Sequence, residues 1–371
     1  MEFPLRLSDY HADAAFAEKL IGKLHEEKPD AVFSYDYFPI LSMVCEINEI
    51  PYLSWIYDCP QYTLLSGTIT NSVNHIFCFD AFYTEKIRTY GAKNVYHLPL
   101  GADVEEFDRI LGEESKNVVI TEPDHAFEKE YGGAVCFVGD LYDGEKNRLR
   151  HTNLSGYTAG YVEGLIQAQL RVYGYYLLGD AMKESIAEEI VKKCRLSLGE
   201  NYRKEPFQMA VDTVGMEVSA REREWAVEKL SEHFPVVLYT GSALPEGWAQ
   251  KKLLTCRKYA DYEKEVPFIF HNSGINLNIT SRTIESGIPQ RVLDILGCGG
   301  FCMTNWQPEI AELFADGEDL VMYTGMEDLL EKTAYYLEKE EERKTIAQKG
   351  YEKVKREFGM ADRVEKIIAV S

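Results

Sequence analysis

Three things are scarce or missing in this sequence. None of its eight cysteines forms a Cys-x-x-Cys pair, and no second ligand pair stands at zinc spacing. Cys45, Cys78 and Cys136 lie in apolar runs, where cysteine behaves as a small hydrophobe, and Cys298 and Cys302 flank a Gly-Gly pair. There is no run of about 18 apolar residues, which excludes an ordinary transmembrane helix. Basic residues are few: 40 Lys and Arg stand against 61 Asp and Glu, giving a formal net charge of −21. That balance excludes a general nucleic-acid backbone binder, which needs clustered cations to displace counterions. It does not exclude nucleotides, which are held by backbone amides and a few cations. Met1-Glu2-Phe3-Pro4-Leu5-Arg6 has no basic region followed by an apolar stretch, so no signal peptide is read and a reduced, cytoplasmic protein is expected.

What is present is a series of short apolar runs separated by amphipathic segments. Phe16, Leu20, Ile21 and Leu24 stand at helical spacing over 16–27. Strands are predicted at 31–35, 52–57, 75–79 and 95–98, with helices at 40–48 and 81–90 between them. Such alternation implies an α/β fold with a parallel sheet and helices on both faces. A charged stretch, 105–131, breaks the pattern, and Gly132-Gly133 closes it. The first domain is therefore placed at 1–132 and a second at 133–358, opening with the buried strand at 134–139. No clear strand falls within 147–215, which reads as a helical insertion. A helix over 221–233 and strands at 236–239, 275–279, 301–303 and 320–323 resume the α/β pattern, and charged helices close the chain, the last at 361–370 within a terminal segment 359–371.

A doubly wound domain normally opens with a strand and a ligand-facing loop. Here only Glu2-Phe3-Pro4-Leu5 precedes the first helix, so a strand-loop-helix unit upstream of Met1 is expected to be missing, through truncation or a late start site, with a naturally reduced sheet as the alternative. A sheet centred on Phe3-Pro4-Leu5 would contradict this.

The densest feature runs from Gly287 to Gly300. Pro289 suits the first turn of a helix over 289–297, and Gly297, Gly299 and Gly300 stop it. Arg291 and Asp294 are three apart, so they share a face near its start. A helix N-terminus suits a diphosphate, and an acid one turn on can accept from ribose hydroxyls. The same spacing also suits a plain surface Arg–Asp pair. Gly139-Asp140, Thr240-Gly241 and Asn272-Ser273-Gly274 adjoin predicted strands and are read as donor-cleft loops, although Gly and Ser also dominate ordinary turns. In the first domain Asp36, Asp58 and Asp80 each follow a strand. Asp58 is the preferred acceptor-side base, with Trp55, Tyr57, Pro60 and Tyr62 as a sugar-stacking surface, and helix capping as the competing role. His11, His25, His75, His97 and His271 show no metal spacing.

Taken together, several segments resemble the bacterial CgeB-type, spore-maturation-like glycosyltransferases. These are Asn276-Leu277-Asn278-Ile279-Thr280, Gly287-Ile288-Pro289-Gln290-Arg291-Val292-Leu293-Asp294, Gly297-Cys298-Gly299-Gly300-Phe301, Thr304-Asn305, Phe137-Val138-Gly139-Asp140-Leu141-Tyr142 and Trp55-Ile56-Tyr57-Asp58-Cys59-Pro60. The resemblance implies a GT-B enzyme: two Rossmann-like domains facing a cleft, the second holding a UDP-, GDP- or dTDP-sugar, the first offering a glycan or protein acceptor. The last helix would cross back to the first domain. It implies donor contacts from Gly139, Asp140, Thr240, Gly241, Asn272, Arg282, Ser286, Gly287, Gln290, Arg291 and Asp294. Arg282 and Arg291 would offset charge on the leaving diphosphate, with no metal or other cofactor required. Many retaining relatives carry a glutamate where this chain has Ser286, beside Glu285, which leaves the stereochemistry open. A nucleotide-sugar epimerase and a non-catalytic GT-B-like binding module are the competing readings.

Overall fold

In the computed structural model, which describes residues 3–117, 131–144 and 147–370, the strand-helix alternation becomes two separate parallel sheets. The chain divides into two compact units. The first comprises Met1–Pro99, Ser197–Pro206 and Asp362–Ser371, and the second Leu100–Leu196 and Phe207–Ala361.

The first unit contains α1 (Ala14–Glu27), β1 (Val32–Tyr35), α2 (Pro39–Asn48), β2 (Tyr52–Ile56), β3 (Asn74–Cys78), α3 (Ala81–Thr89) and β4 (Asn94–His97). Asp13 caps α1 by accepting from the Phe16 N–H at 2.9 Å. The four strands lie in the order β1-β2-β3-β4, all parallel. One core joins Phe16, Leu20 and Leu24 of α1 and Ile40 and Val44 of α2 to Tyr52, Ile76 and Val95 of the sheet. These sheet residues alternate with Leu53, Phe77 and Tyr96, so the core lies on one face of the sheet. The expectation of helices on both faces is not met by α1, α2 and α3 of this unit, whose apolar stripes all enter the same core. Phe3-Pro4-Leu5 forms no strand, and β1 pairs only with β2 among the described residues.

The second unit contains α4 (Val104–Asn117), β5 (Val135–Val138), α5 (Gly156–Gln169), α6 (Leu178–Ala181), α7 (Glu184–Lys193) and most of α8 (Pro206–His233). There follow β6 (Val236–Tyr239), β7 (Leu254–Arg257), α9 (Val266–Asn272), β8 (Ile275–Asn278), α10 (Gln290–Gly297), β9 (Cys302–Asn305), α11 (Pro308–Leu313) and β10 (Val321–Tyr323). The helices α12 (Met326–Leu337), α13 (Glu340–Glu357) and α14 (Met360–Ile368) end the chain, the last running from Met360 in the second unit into the first. The sheet order is β10-β9-β8-β5-β6-β7, all parallel. This is the doubly wound order, with its switch point between β5 and β8. No helix among the described residues is long and apolar enough to cross a membrane.

Three boundaries differ from those expected. The units part at Pro99–Leu100, not near 132, because α4 packs within the second unit through Phe107. Residues 118–130 of the charged stretch lie outside the described residues. Ser197–Pro206, expected inside the insertion, belongs to the first unit: Tyr202 bridges Ser66, and the Arg203 N–H donates to the Leu65 carbonyl at 2.8 Å. The helix expected to start at 221 starts at Pro206, since α8 runs unbroken from the insertion into the sheet domain. It is buried on several faces, so it carries no single apolar stripe to mark it.

α10, the helix of the densest motif, is held from behind by α13. Gly350 of α13 approaches so closely that a methyl there would overlap the Asp319 carbonyl and stand 2.7 Å from Leu296 Cδ2. Gly350→Ala is expected to destabilise the fold by about 1–3 kcal/mol, as overpacking does. Urea denaturation checks this; an unchanged midpoint would mean that α13 does not press on α10.

Candidate active site

Ligands of doubly wound sheets sit at the carboxyl ends of the strands beside the switch point. In this unit those ends are Gly139-Asp140 after β5 and Ile279-Thr280 after β8. Asp140 does not present an idle carboxylate. Its Oδ1 accepts from Ser242 Oγ at 2.8 Å and from the Tyr142 N–H at 2.5 Å. Ser242 Oγ in turn accepts from the Leu141 N–H at 2.8 Å, and Thr240 Oγ1 accepts from the Ser242 N–H at 3.1 Å. Thus Asp140, Thr240, Gly241 and Ser242 form one hydrogen-bonded corner joining the β5 and β6 loops. Tyr142, at φ +57°, turns that corner.

Two neighbouring residues of α8 tie the switch point together. Arg223 donates from Nη1 to the Asp140 carbonyl at 2.5 Å and from Nη2 to the Ile279 carbonyl at 2.7 Å. Its guanidinium lies 4.0 Å from the Tyr142 ring centroid. Glu222, fully buried, receives Arg282 through two bonds, Nε at 2.7 Å and Nη2 at 2.8 Å. Arg282 also donates to the Val172 carbonyl at 3.0 Å and lies over Tyr173. This corrects the expectation for Arg282. Its fork is engaged by Glu222 and a carbonyl, so it is a buried structural cation and not a free diphosphate ligand.

The Gly287–Asp294 segment leads from β8 into α10. Pro289 stands at the N-cap and Gln290 opens the helix. Asp294 is buried, and its Oδ1 accepts from Tyr262 Oη at 2.9 Å and Gln290 Nε2 at 2.7 Å. Gln290 also donates to the Gly101 carbonyl at 2.9 Å. Arg291 Nη1 stands 4.0 Å from Asp294 Oδ2, and the guanidinium lies 5.3 Å from the Phe270 centroid. That Nη1 is buried and makes no hydrogen bond with the described residues. Arg291 therefore keeps donor capacity that Arg282 lacks. Burial pushes the Asp294 carboxyl above its ordinary value, and Arg291, Gln290 and Tyr262 oppose the shift.

Ser286 is itself no acid, but an acid reaches it from elsewhere. Ser286 Oγ donates to Glu309 Oε1 at 2.6 Å, and the Ser286 carbonyl accepts from the Glu309 N–H at 3.1 Å. Glu309 is buried in the first turn of α11. Sequence reasoning missed it; the signal was Gln307-Pro308-Glu309, a proline and an acid opening a helix just after β9.

Asn272 is a correction. It ends α9 and precedes β8, so it lies at the amino end of the sheet, away from Gly139 and Ile279. Its Nδ2 donates back to the Phe268 carbonyl at 2.9 Å. His271, close by, pairs its Nδ1 with the Cys298 carbonyl at 2.9 Å.

In the first unit the three candidate aspartates take different parts. Asp80 is wholly buried and caps α3 by accepting from the Tyr83 N–H at 2.8 Å. Asp36, at φ +57°, accepts from the N–H groups of Tyr57 and Asp58 at 2.9 and 3.0 Å, and its carboxyl is raised by burial against those two bonds. Asp58 is exposed and caps no helix, its loop being fixed by Asp36. Trp55, expected to stack sugars, is 1% exposed and donates from Nε1 to the Leu98 carbonyl at 3.3 Å. Phe33, Tyr35 and Tyr57 are exposed aromatic rings there, at 45%, 49% and 43%. No group of three metal-ligating side chains occurs among the described residues.

Comparison with known proteins agrees with this architecture. The family model described as glycosyl transferase-like matches residues 221–369, the part that contains α10 and the β8 end. No curated protein matches the chain. Among solved structures, a glycosyltransferase from Rickettsia africae aligns with a TM-score of 0.56 at 9% identity, covering 100% of this chain and 83% of its own. HepE of Anabaena, solved with UDP-glucose, aligns at 0.52 and 9% identity, covering 96% and 81%. Sucrose-phosphate synthase of Thermosynechococcus elongatus aligns at 0.53 and 10% identity, covering 96% and 78%. The fold is thus GT-B, an α/β architecture with a parallel sheet in each of two domains. Within that fold, residues 221–369 are glycosyl transferase-like.

Two outcomes follow for this site. Glu222→Gln leaves Arg282 charged in a buried setting, and is expected to cost about 3–5 kcal/mol in urea denaturation. A loss below experimental error would show that the pair does not hold the switch point. The raised Asp294 carboxyl means that the folded state binds the proton more tightly than the unfolded state does. Its contribution is therefore fully present below the ordinary carboxylate value and is lost as pH rises through the folded one. Asp294→Asn, whose amide oxygen still accepts from Tyr262 and Gln290, should gain melting temperature relative to the parent as pH rises above the ordinary carboxylate value. Parallel melting curves across that range would refute the assignment.

Proposed function

We propose that the chain transfers a sugar from a UDP-, GDP- or dTDP-sugar to a glycan or protein acceptor, as a CgeB-type member of the glycosyltransferases. The observation that carries this is Arg291, the second residue of α10 inside the matched domain, whose buried Nη1 makes no hydrogen bond with the described residues. The UDP-glucose bound by HepE makes a UDP-sugar the first donor to test.

In this reading the donor lies at the carboxyl ends of β5 and β8. Gly139, Thr240 and Gly241 line its approach, Ser286, Gly287 and Gln290 lead to the helix N-terminus, and Arg291 meets the diphosphate. Asp294 takes the ribose, its carboxylate oriented by Tyr262 and Gln290. Asp140 shapes the loop. On the first unit, Asp58 takes the proton from the acceptor hydroxyl as its oxygen bonds to the anomeric carbon. As that bond forms, the bond to the nucleoside diphosphate breaks, its electron pair passes to a phosphate oxygen, and Arg291 offsets the charge that grows there. This chemistry asks for no metal, and the setting proposed for it is the cytoplasm.

Calorimetric titration with UDP-glucose, GDP-mannose and dTDP-glucose, followed by assay of free-sugar release, tests the reading. One donor should bind, and both Arg291→Ala and Asp294→Ala should weaken it by about tenfold or more with melting still cooperative, as expected for loss of a charge-assisted contact. Binding by none of the three, or equal affinity in both variants, would sink it. Epimerised product without release or transfer would instead indicate an epimerase.

A further inference from the structure

The helical insertion holds a second polar cleft, built by residues that the donor site does not use. The turn before α5 carries Arg148 and His151, and α7 ends at Lys193 and runs into Arg195. These four side chains, with Thr152 and Asn153, line a cleft of about 500 Å³. Among the described residues, no aspartate or glutamate lines it. In a chain with a net charge of −21, four basic side chains on one concave surface stand against the average field.

The local structure explains how they converge. Arg148 Nη1 donates to the Arg195 carbonyl at 3.0 Å, which joins the turn to the end of α7. Arg195 takes φ +53°, so the chain reverses there instead of continuing the helix. His151 Nε2 meets the backbone carbonyl of Asp143 at 3.2 Å, so that nitrogen carries the proton. The acid one turn before Lys193, Glu189, is engaged elsewhere. Its Oε1 accepts from the Ser155 N–H at 2.6 Å, and its Oε2 from Ser155 Oγ at 2.9 Å and Thr158 Oγ1 at 2.6 Å. Among the described residues, the cleft's own cations thus have no carboxylate in the lining.

We propose that this cleft binds a phosphate-bearing anion, a phosphomonoester or a diphosphate, separately from the donor site. A lone carboxylate is matched by one arginine fork, whereas two guanidinium groups, an ammonium and an imidazole match a multiply charged anion with several acceptor oxygens. A volume of about 500 Å³ admits more than a bare phosphate group, and suits a diphosphate or a phosphorylated sugar.

Calorimetry at low ionic strength, with inorganic pyrophosphate in one arm and glucose 6-phosphate in the other, tests this against chloride at matched ionic strength. At least one should bind, and which one identifies the source of the phosphate. Lys193→Glu/Arg195→Glu should weaken that ligand by about tenfold or more, since the two charges are reversed at close range. Lys193→Gln/Arg195→Gln, which only removes the charges, should show a smaller loss with an unchanged melting temperature. Arg291→Ala should retain the parent affinity, which keeps this result independent of the proposed donor site. Binding of neither ligand, equal binding in both double variants, or loss in Arg291→Ala alone would overturn the proposal.

Discussion

The second unit depends on two adjacent residues of α8. Glu222 anchors Arg282 in the turn that follows β8, and Arg223 ties the carbonyls of Asp140 and Ile279 together across the switch point. One helix therefore fixes both walls of the place where a doubly wound sheet opens to a ligand. The Glu222–Arg282 pair is buried, so desolvation offsets much of its attraction. Its effect is in placement: with Arg282 held, the chain leaving β8 has one path into the Gly287–Asp294 segment. Because α8 also forms the core of the insertion with Val211, Val214 and Val218, the insertion and the site share a support.

That constraint sorts the cations of the site. Arg282 and Arg223 are engaged in the scaffold through their terminal nitrogens, although the Arg223 Nε makes no hydrogen bond, while Arg291 keeps a terminal Nη1 that makes no hydrogen bond with the described residues. The acids sort in a similar way. Asp140 organises a loop, Asp294 is oriented by Tyr262 and Gln290, and Glu309 meets Ser286 from the following helix. The fold supplies a rigid frame in which few polar groups are left to meet a ligand, and those few gather about the start of α10.

Much of the fold was legible. Every strand of the first sheet shows as a short β-branched or aromatic run, and the alternation with helices implies parallel pairing. The density of glycine and proline around α10 likewise marks a strand-to-helix corner. What was not legible depends on tertiary contacts. Arg282 reads like Arg291 in sequence, and only Glu222, sixty positions away, separates the two. Trp55 reads as a sugar platform but is covered in the fold, and Asn272 adjoins a strand at its amino end, where spacing gives no direction. Glu309 sits 23 positions beyond Ser286, too far for any local pattern to pair them. The strand β7 was missed because lysines on its flanks mask four residues of moderate hydrophobicity.

The central claim is the position of the donor. A crystal structure with UDP-glucose at millimolar concentration tests it most directly. Nucleotide density is expected at the carboxyl ends of β5 and β8, with the diphosphate against Arg291 and the N-terminus of α10. Density at any other place, or no bound nucleotide at that concentration, would contradict it.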